Sequence, residues 1–299
     1  MYPILASLGP VTLFGHVFGP LHFYSYGLCL ALALGVSITL FARDAGNHIA
    51  PKLGQTFEQG FQKTFDLGMW VIICSILGAR LFYVIENNNE FSGKFIDNYF
   101  VWQPLNFVNL TFPVFGPWKQ AFFIWQGGLV FYGGLFGAII AATIWFQSEK
   151  WPFAYSFDLV APYILLGHAF GRVGCFLNGC CYGLVDHVHG LVFPGAPDAQ
   201  PHLPTQLWEL YGDLALFFLL LWARKWTIKY PWLTFSLYGL TYGTLRLVIE
   251  FWRRDWDKRY LIIFNSASQA VSGLIILVSV AMILWIFSRR RKIPSQGVN

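Results

Sequence analysis

Long apolar runs divide the chain into seven segments, each long enough to cross a membrane. About 20 mostly apolar residues are needed, because a rise of about 1.5 Å per residue must cover a hydrocarbon core of about 30 Å. The runs are Phe23–Ala42, Leu67–Ile85, Ala121–Phe146, Phe157–Leu177, Leu207–Ala223, Trp232–Trp252 and Leu261–Phe287. The pattern predicts an all-α integral membrane protein with about seven transmembrane helices.

Two polar segments interrupt this pattern. Residues 86–120 and 179–206 carry the Asn, Pro and His that the apolar runs lack. We interpret both as extracytoplasmic loops that cap a functional site. No internal repeat stands out, so residues 1–299 are predicted to form a single polytopic membrane domain.

The composition supports a membrane protein. Only 12% of the 299 residues are charged and 56% are hydrophobic, whereas about 25% of the residues in a soluble domain are charged. The formal charge of +5 does not indicate a nucleic-acid partner, because the basic residues are dispersed between the apolar runs. The expected surroundings are the lipid bilayer.

The distribution of lysine and arginine predicts the orientation. Cytoplasmic loops hold an excess of these residues, and the excess falls in the cytoplasmic segments when the carboxyl terminus lies inside. The amino terminus is therefore predicted outside. No basic region precedes the first apolar stretch, so no cleaved signal peptide is predicted.

Charged residues inside the predicted spans indicate a functional site, because each costs roughly 2.5–3.5 kcal/mol at the bilayer centre. They are Arg80, Arg172, Arg246 and Glu250, all near the outer ends of their spans. Arg246 and Glu250 are four residues apart, which puts them on one helix face, where they can form an ion pair. The alternative is that each arginine only extends to the interface.

Arg172 has no acidic residue one helical turn away. We expect this unpaired guanidinium to bind an anion, and a phospholipid phosphate is the anion most available at the outer interface. Arg172 also lies in the glycine-rich stretch GHAFGRVGCFLNGCCYG with Asn178 and Gly183. Such glycines allow close helix packing or bring backbone amides to a ligand, and here we favour a head-group site.

Two tyrosines beside glycines lie near the outer ends of their spans, Tyr26 and Tyr132. A tyrosine at this depth is usually an interfacial anchor. The alternative is that its hydroxyl contacts a phosphate or relays a proton.

Three cysteines follow Arg172 closely: Cys175, Cys180 and Cys181. Their spacing and that of the nearby histidines match no standard zinc pattern. A disulfide that involves Cys175, or three simple thiols, is expected ahead of a metal site, and a catalytic nucleophile is expected least. Neither a metal nor a cofactor is predicted.

Five ordered patterns resemble those of the bacterial prolipoprotein diacylglyceryl transferases. Tyr26-Gly27-Leu28 resembles the family's entry to the first span, and residues 131–137 resemble its third-span pattern, aromatic-His-Gly-Gly-Leu-x-Gly. Residues 171–183 resemble its signature Gly-Arg-x-Gly-Asn-Phe-x-Asn-Gly-Glu-x-x-Gly. Residues 204–209 and 242–253 resemble Pro-Ser-Gln-Leu-Tyr-Glu and Tyr-Gly-x-x-Arg-x-x-x-Glu-x-x-Arg. The resemblance therefore covers most of the chain.

Three positions depart from the family's patterns. Tyr132 stands at the third-span His, Cys175 at the signature Asn and Cys180 at the signature Glu. Arg172 and Arg246 are kept. His168, one turn before Arg172, is a candidate for the missing imidazole.

The resemblance implies transfer of the diacylglyceryl group of phosphatidylglycerol to the lipobox cysteine thiol of a prolipoprotein. Its expected partners are phosphatidylglycerol and the prolipoprotein signal peptide, and its expected location is the bacterial inner membrane. The residues expected to handle the phosphate and the proton are Arg172, Arg246, Tyr26, Tyr132 and His168. The residues expected to shape the substrate site are Arg172, Asn178, Gly183, Gln206, Glu209, Tyr242, Glu250 and Arg80.

Two other functions stay open at this point. A non-catalytic phospholipid-binding or transport homologue would explain the three departures directly. Against it, Arg172, Arg246 and Glu250 are all retained. A related transferase with a different lipid donor or acceptor would use the same arginines.

Overall fold

Helices dominate the computed structural model, which describes residues 3–9, 11–13, 16–18, 21–86, 130–194, 196, 198–253 and 266–290. The helices of this part of the chain are α1 Ser25–His48, α2 Phe57–Glu86, α3 Phe131–Ser148, α4 Phe153–Asn178, α5 Thr205–Thr227, α6 Leu233–Glu250 and α7 Ala267–Arg290. Each overlaps one of the seven predicted apolar runs, which confirms the predicted fold class. Residues 121–129 and 261–265 of two runs lie outside the described residues.

Five of these helices are long and apolar enough to cross a membrane, namely α1, α2, α4, α5 and α7. The other two, α3 and α6, have 18 residues each. At about 1.5 Å per residue they are about 27 Å long, close to the thickness of a bilayer core. The chain has the architecture of a multi-pass membrane protein.

The amino-terminal segment forms short strands, which the hydropathy pattern did not predict. They are β1 Ile4–Leu8, β2 Val11–Leu13, β3 His16–Phe18 and β4 Leu21–Tyr24. β1 pairs with β4 and β2 with β3, both antiparallel. The prediction that the first helix includes Phe23 was wrong, because this residue lies in β4 and α1 begins at Ser25. Gly-Pro dipeptides at 9–10 and 19–20 are the turn signals that divide this segment.

The described residues form two compact units. The first comprises residues 1–61 and 152–299, and the second comprises residues 62–151. In the first unit α4 is central: it packs against α1, α5 and α6, and α6 packs in turn against α7. The fully buried side chains of Leu159, Leu165 and Leu220 belong to the apolar core of this unit.

A buried carboxylate on α4 fixes the start of α6. Asp158 accepts hydrogen bonds from the backbone N–H groups of Trp232 at 2.7 Å and Phe235 at 2.8 Å. These bonds satisfy N–H groups that a helix start otherwise leaves without an acceptor. Trp232 adopts a left-handed backbone conformation, φ 72°, at this cap. Asp158 thus sets where α6 begins and how it meets α4.

An ion pair connects α1 and α5. The Asp44 carboxylate lies 2.5 Å from the Arg224 guanidinium and also accepts a hydrogen bond from the Tyr163 hydroxyl on α4. Three helices are therefore joined through one carboxylate. This contact explains why α1 continues as far as His48, past the polar residues at which the first apolar run ends.

In the second unit, α2 and α3 approach each other closely along glycines. A Cβ atom at Gly78 would meet the Gly133 carbonyl, and one at Gly137 would meet the Cys74 carbonyl. Small residues allow such close helix contacts within a membrane. Elsewhere in this unit Lys63 forms an ion pair with Glu149.

The segment 179–206 has a small core of its own. β5 Leu191–Val192 pairs antiparallel with β6 Pro201–His202, and Tyr182 lies against Phe193 and His202 at ring distances of 5.1 and 4.5 Å. His202 is fully buried, and its ring nitrogens contact the Gly183 carbonyl and the Asp198 carboxylate. The segment is therefore a built element rather than a plain loop. The other predicted loop, 86–120, lies outside the described residues from residue 87 onward.

Candidate functional site

A buried carboxylate on α5 joins two guanidinium groups. Glu209 Oε1 lies 2.6 Å from Arg172 Nη2 on α4, and Glu209 Oε2 lies 3.0 Å from Arg246 Nη1 on α6. Glu209 is 1% exposed. Three helices of the first unit therefore meet at one carboxylate.

The network continues along α6 toward α7. Arg246 Nη2 lies 3.2 Å from Glu250 Oε2, so the predicted ion pair within this helix is present. Arg246 Nε donates to Ser268 Oγ at 3.0 Å. Glu250 also accepts a hydrogen bond from Ser266 at 2.9 Å and lies 3.8 Å from the Arg253 guanidinium.

The expectation that Arg172 lacks an acidic partner was wrong. The search of the sequence covered only its own helix, whereas Glu209 reaches it from α5. The network is nonetheless asymmetric: the side chains of Arg172 and Arg246 are 19% and 15% exposed, and those of Glu209 and Glu250 are 2% and 1% exposed. The accessible part of the network is therefore cationic, which suits an anionic ligand.

A second carboxylate on α5 was missed by sequence reasoning. Asp213 lies one turn after Glu209 and is fully buried, and neither of its carboxylate oxygens has a hydrogen-bond partner among the described residues. A charged residue inside the apolar run of α5 is the same signal that selected Arg172, and it could have selected Asp213 too. A buried polar group without a partner calls for a functional explanation.

An imidazole lies beside Arg172. His168 is one turn earlier on α4, and its Nδ1 is buried without a hydrogen-bond partner in the part of the chain that the structure describes. Its ring lies 4.7 Å from that of Tyr242, which stacks on Tyr238 at 5.8 Å. A neutral imidazole nitrogen in this state can accept a proton.

Three thiols meet where α4 ends. The Sγ atoms of Cys175, Cys180 and Cys181 all lie within 4.8 Å of one another, and all three cysteines are free thiols rather than the expected disulfide. Gln206 donates to the Cys180 carbonyl at 2.6 Å, and Thr205 donates to the Cys181 carbonyl at 3.0 Å. Gln206, predicted to shape the substrate site, thus holds this turn.

The electrostatics of the turn distinguish Cys181 from its neighbours. Hydrogen bonds from the thiols of Cys175 and Cys180 lower the pKa of Cys181, and the guanidinium groups of Arg253 and Arg172 act in the same direction. Cys181 also has a left-handed backbone conformation, φ 63°. The turn therefore favours a thiolate at this position.

Three other predicted residues lie in the first unit. Tyr26 on α1 faces α4, since a Cβ atom at Gly174 would lie 3.0 Å from its ring. Gly183 donates its N–H to the Leu203 carbonyl at 2.8 Å. Asn178 ends α4 with its side chain exposed. The first unit thus brings together ten of the predicted site residues.

Two predicted residues belong to the second unit. Tyr132 lies in the first turn of α3 and is 38% exposed. Arg80 on α2 is buried, with its guanidinium carbon 5.1 Å from the ring centre of Tyr83. Their part in the site stays a prediction.

Comparison with known proteins decides the family. The model of the prolipoprotein diacylglyceryl transferase family matches residues 13–285. The chain belongs to this family. The resemblance found in the sequence is thereby confirmed, together with the assignment to a family of transferases.

Curated relatives agree along most of the chain. A protein of Chlorobaculum tepidum is 32% identical over 230 residues, which cover 75% of this chain and 75% of that protein. One of Clostridium tetani is 29% identical and covers 87% of this chain and 92% of its own length. One of Francisella tularensis subsp. novicida is 28% identical and covers 99% and 97%. All three are named phosphatidylglycerol–prolipoprotein diacylglyceryl transferase.

Proposed function

We propose that this chain transfers the diacylglyceryl group of phosphatidylglycerol to the lipobox cysteine thiol of prolipoproteins. The observation that carries the proposal is the pair of partly exposed guanidinium groups of Arg172 and Arg246, held by the buried Glu209. Membership of the transferase family and the names of the relatives support the same reaction.

The reaction exchanges one bond at a glyceryl carbon. The sulfur of the acceptor thiolate attacks the diacylglyceryl carbon that bears the phosphate and forms a C–S bond. The C–O bond to the phosphate breaks, and glycerol phosphate leaves with the electron pair. The thiol proton passes first to a base and then to the products. The protein must therefore stabilise a leaving phosphate and accept a proton.

Arg172 and Arg246 are the residues that we assign to the phosphate. A guanidinium donates two parallel hydrogen bonds to phosphate oxygens and keeps its charge at any pH the protein meets. Their ion pairs with Glu209 hold both groups in place before the lipid binds. Preorganised donors of this kind each lower a barrier by about 3–4 kcal/mol.

His168 is the residue that we assign to the proton. It precedes Arg172 by one helical turn, and its buried Nδ1 has no hydrogen-bond partner among the described residues. This assignment fits the presence of Tyr132 where the family's pattern has a histidine. The Tyr26 and Tyr132 hydroxyls are the remaining candidates for a relay of the proton.

The remaining predicted residues are proposed to shape the lipid and peptide sites. Gln206 and Gly183 support the turn beside Arg172 through their backbone and side-chain hydrogen bonds. We assign Asn178, Tyr242, Glu250 and Arg80 to the surroundings of the substrate on their positions in the family's patterns and spans.

We place the protein in the bacterial inner membrane as one polytopic domain over residues 1–299. The amino terminus lies outside and the carboxyl terminus lies in the cytoplasm, in accordance with the excess of lysine and arginine in the inner segments. With this orientation the segment 179–206 lies outside, beside Arg172, where the lipid head groups and the lipobox cysteine are found.

The test uses purified, detergent-solubilised protein, phosphatidylglycerol labelled in its acyl chains, and a lipobox peptide. The matched control peptide carries serine in place of the lipobox cysteine. We expect label on the cysteine peptide and none on the serine peptide. Lipid that stays bound and unmodified in the presence of the cysteine peptide would contradict the proposal and support a non-catalytic phospholipid-binding protein.

A further inference from the structure

The three thiols at the end of α4 form the tightest cluster of metal-ligating side chains among the described residues. Two of them, Cys175 and Cys180, replace the Asn and the Glu of the family's signature, and Cys181 is their neighbour in the chain. Two separate departures therefore contribute to one local group. The spacing in the sequence gave no sign of this, because the cluster depends on how the chain turns after α4.

The distances between the sulfur atoms suit a metal ion. A tetrahedral zinc ion has Zn–S bonds of about 2.3 Å, which places its sulfur ligands about 3.8 Å apart. The three Sγ atoms lie within 4.8 Å of one another, so side-chain shifts of about 1 Å bring all of them into range. A disulfide would use only two of the three thiols.

The turn that carries the thiols is held by its surroundings. The left-handed Gly179, φ 73°, ends α4, and the Cys180 N–H donates to the Cys175 carbonyl at 3.1 Å. Gln206 and Thr205, at the start of α5, bind the carbonyls of Cys180 and Cys181. The ligand atoms are thus positioned by the backbone before any ion binds, which lowers the cost of forming a site.

The charges around the cluster also suit an ion with three thiolates. Zinc with three thiolate ligands carries a net charge of −1. The guanidinium groups of Arg253 and Arg172 both act electrostatically on Cys181 and balance this charge. Thiolate ligands select thiophilic ions such as zinc and copper(I) over magnesium and calcium.

We propose that Cys175, Cys180 and Cys181 form a three-thiolate zinc site that leaves the fourth coordination position for a water molecule or an added ligand. Binding replaces three thiol protons by one zinc ion, and the protons pass to the solvent. Three protein ligands and an open position are the arrangement of reactive rather than purely structural zinc sites. The site lies beside Arg172 but does not depend on the lipid-transfer reaction.

The test measures the metal content of the full-length protein, purified from reduced membranes with its affinity tag removed. After dialysis against zinc, elemental analysis is expected to give one zinc per chain. X-ray absorption at the zinc edge is expected to show three sulfur ligands at about 2.3 Å and one lighter atom. These measurements on the unaltered protein do not depend on how well a variant folds.

Serine variants identify the ligands. Zinc affinity, measured by competition with a chelator, is expected to fall at least about 100-fold in Cys175→Ser, Cys180→Ser and Cys181→Ser, since even indirect changes around a metal cost about 10–100-fold. The double variant Cys29→Ser with Cys74→Ser is the matched control and is expected to keep the zinc. No bound zinc in the reduced protein, or equal zinc in the cluster variants and the control, would overturn the proposal. A disulfide that forms within the cluster even when zinc is present would overturn it as well.

Discussion

The carboxylate of Glu209 lies 2.6 Å from the guanidinium of Arg172, and this contact joins α5 to α4 inside a membrane protein. The other carboxylate oxygen of Glu209 binds Arg246. Loss of one partner of a buried ion pair costs about 3–5 kcal/mol, because the other charge stays buried without compensation. Glu209 is therefore as important for holding the arginines as for the charge of the site.

Glu209→Gln is expected to lower the melting temperature clearly and to reduce lipid transfer, because Arg172 and Arg246 lose their common partner. The measurement is thermal unfolding of the purified protein in detergent. Glu149→Gln is the matched control: Glu149 pairs with Lys63 on side chains that are 28% and 31% exposed, where an ion pair contributes about 0–1 kcal/mol. Equal melting temperatures for the two variants would contradict the role given to Glu209.

His168→Gln is expected to lower kcat for transfer by about 10²–10⁴-fold, the usual contribution of a positioned base. The KM for phosphatidylglycerol is expected to stay close to that of the unaltered protein, because the arginines still bind the phosphate. His189→Gln is the control, since the side chain of His189 is 78% exposed. Full activity of His168→Gln would transfer the proton to Tyr26 or Tyr132.

Gly183→Ala is expected to disrupt the turn beside the site. A Cβ atom there would meet the Trp252 carbonyl and come within 2.8 Å of Thr205, in a region where Leu184 donates to that same carbonyl at 2.8 Å. We expect lower transfer and a lower melting temperature. Gly35→Ala is the control, because nothing lies within 4 Å of the added atom; its effect should stay within about 1 kcal/mol. Unchanged activity of Gly183→Ala would show that the turn tolerates the shift.

Asp158→Ala is expected to destabilise the protein without impairing transfer by the folded fraction. The carboxylate caps the start of α6 through two backbone N–H groups, and a lost cap costs about 0.5–2 kcal/mol. The measurements are melting temperature and activity per active molecule, beside Glu58→Ala at an exposed position of α2. Loss of transfer at an unchanged melting temperature would contradict a purely structural role.

The helices were predictable because a bilayer imposes them. A backbone in hydrocarbon must satisfy its own hydrogen bonds, so each long apolar run becomes a helix. The strands before Ser25 were not predicted, since apolar residues there are interrupted by Gly-Pro turns that the hydropathy pattern passes over. The continuation of α1 to His48 depends on the pairing of Asp44 with Arg224, which is a contact between distant parts of the chain.

The candidate site was predictable in its residues but not in its contacts. Arg172, Arg246 and Glu250 stood out because charge is rare in a span, and the spacing of Arg246 and Glu250 already predicted their pairing. The Glu209 contact to Arg172 joins two helices, and no local pattern could show it. Likewise, the meeting of Cys175 with Cys180 and Cys181 depends on the left-handed turn at Gly179.

The most direct test of the account follows both halves of the donor lipid. Phosphatidylglycerol with one label in its acyl chains and another in its phosphate is supplied with the lipobox peptide to the unaltered protein, Arg172→Ala and the exposed-site control Arg43→Ala. We predict that the acyl label appears on the peptide thiol and an equal amount of labelled glycerol phosphate is released, with Arg172→Ala at least about 10²-fold slower and Arg43→Ala unchanged. Undiminished transfer by a correctly inserted Arg172→Ala protein would contradict the account.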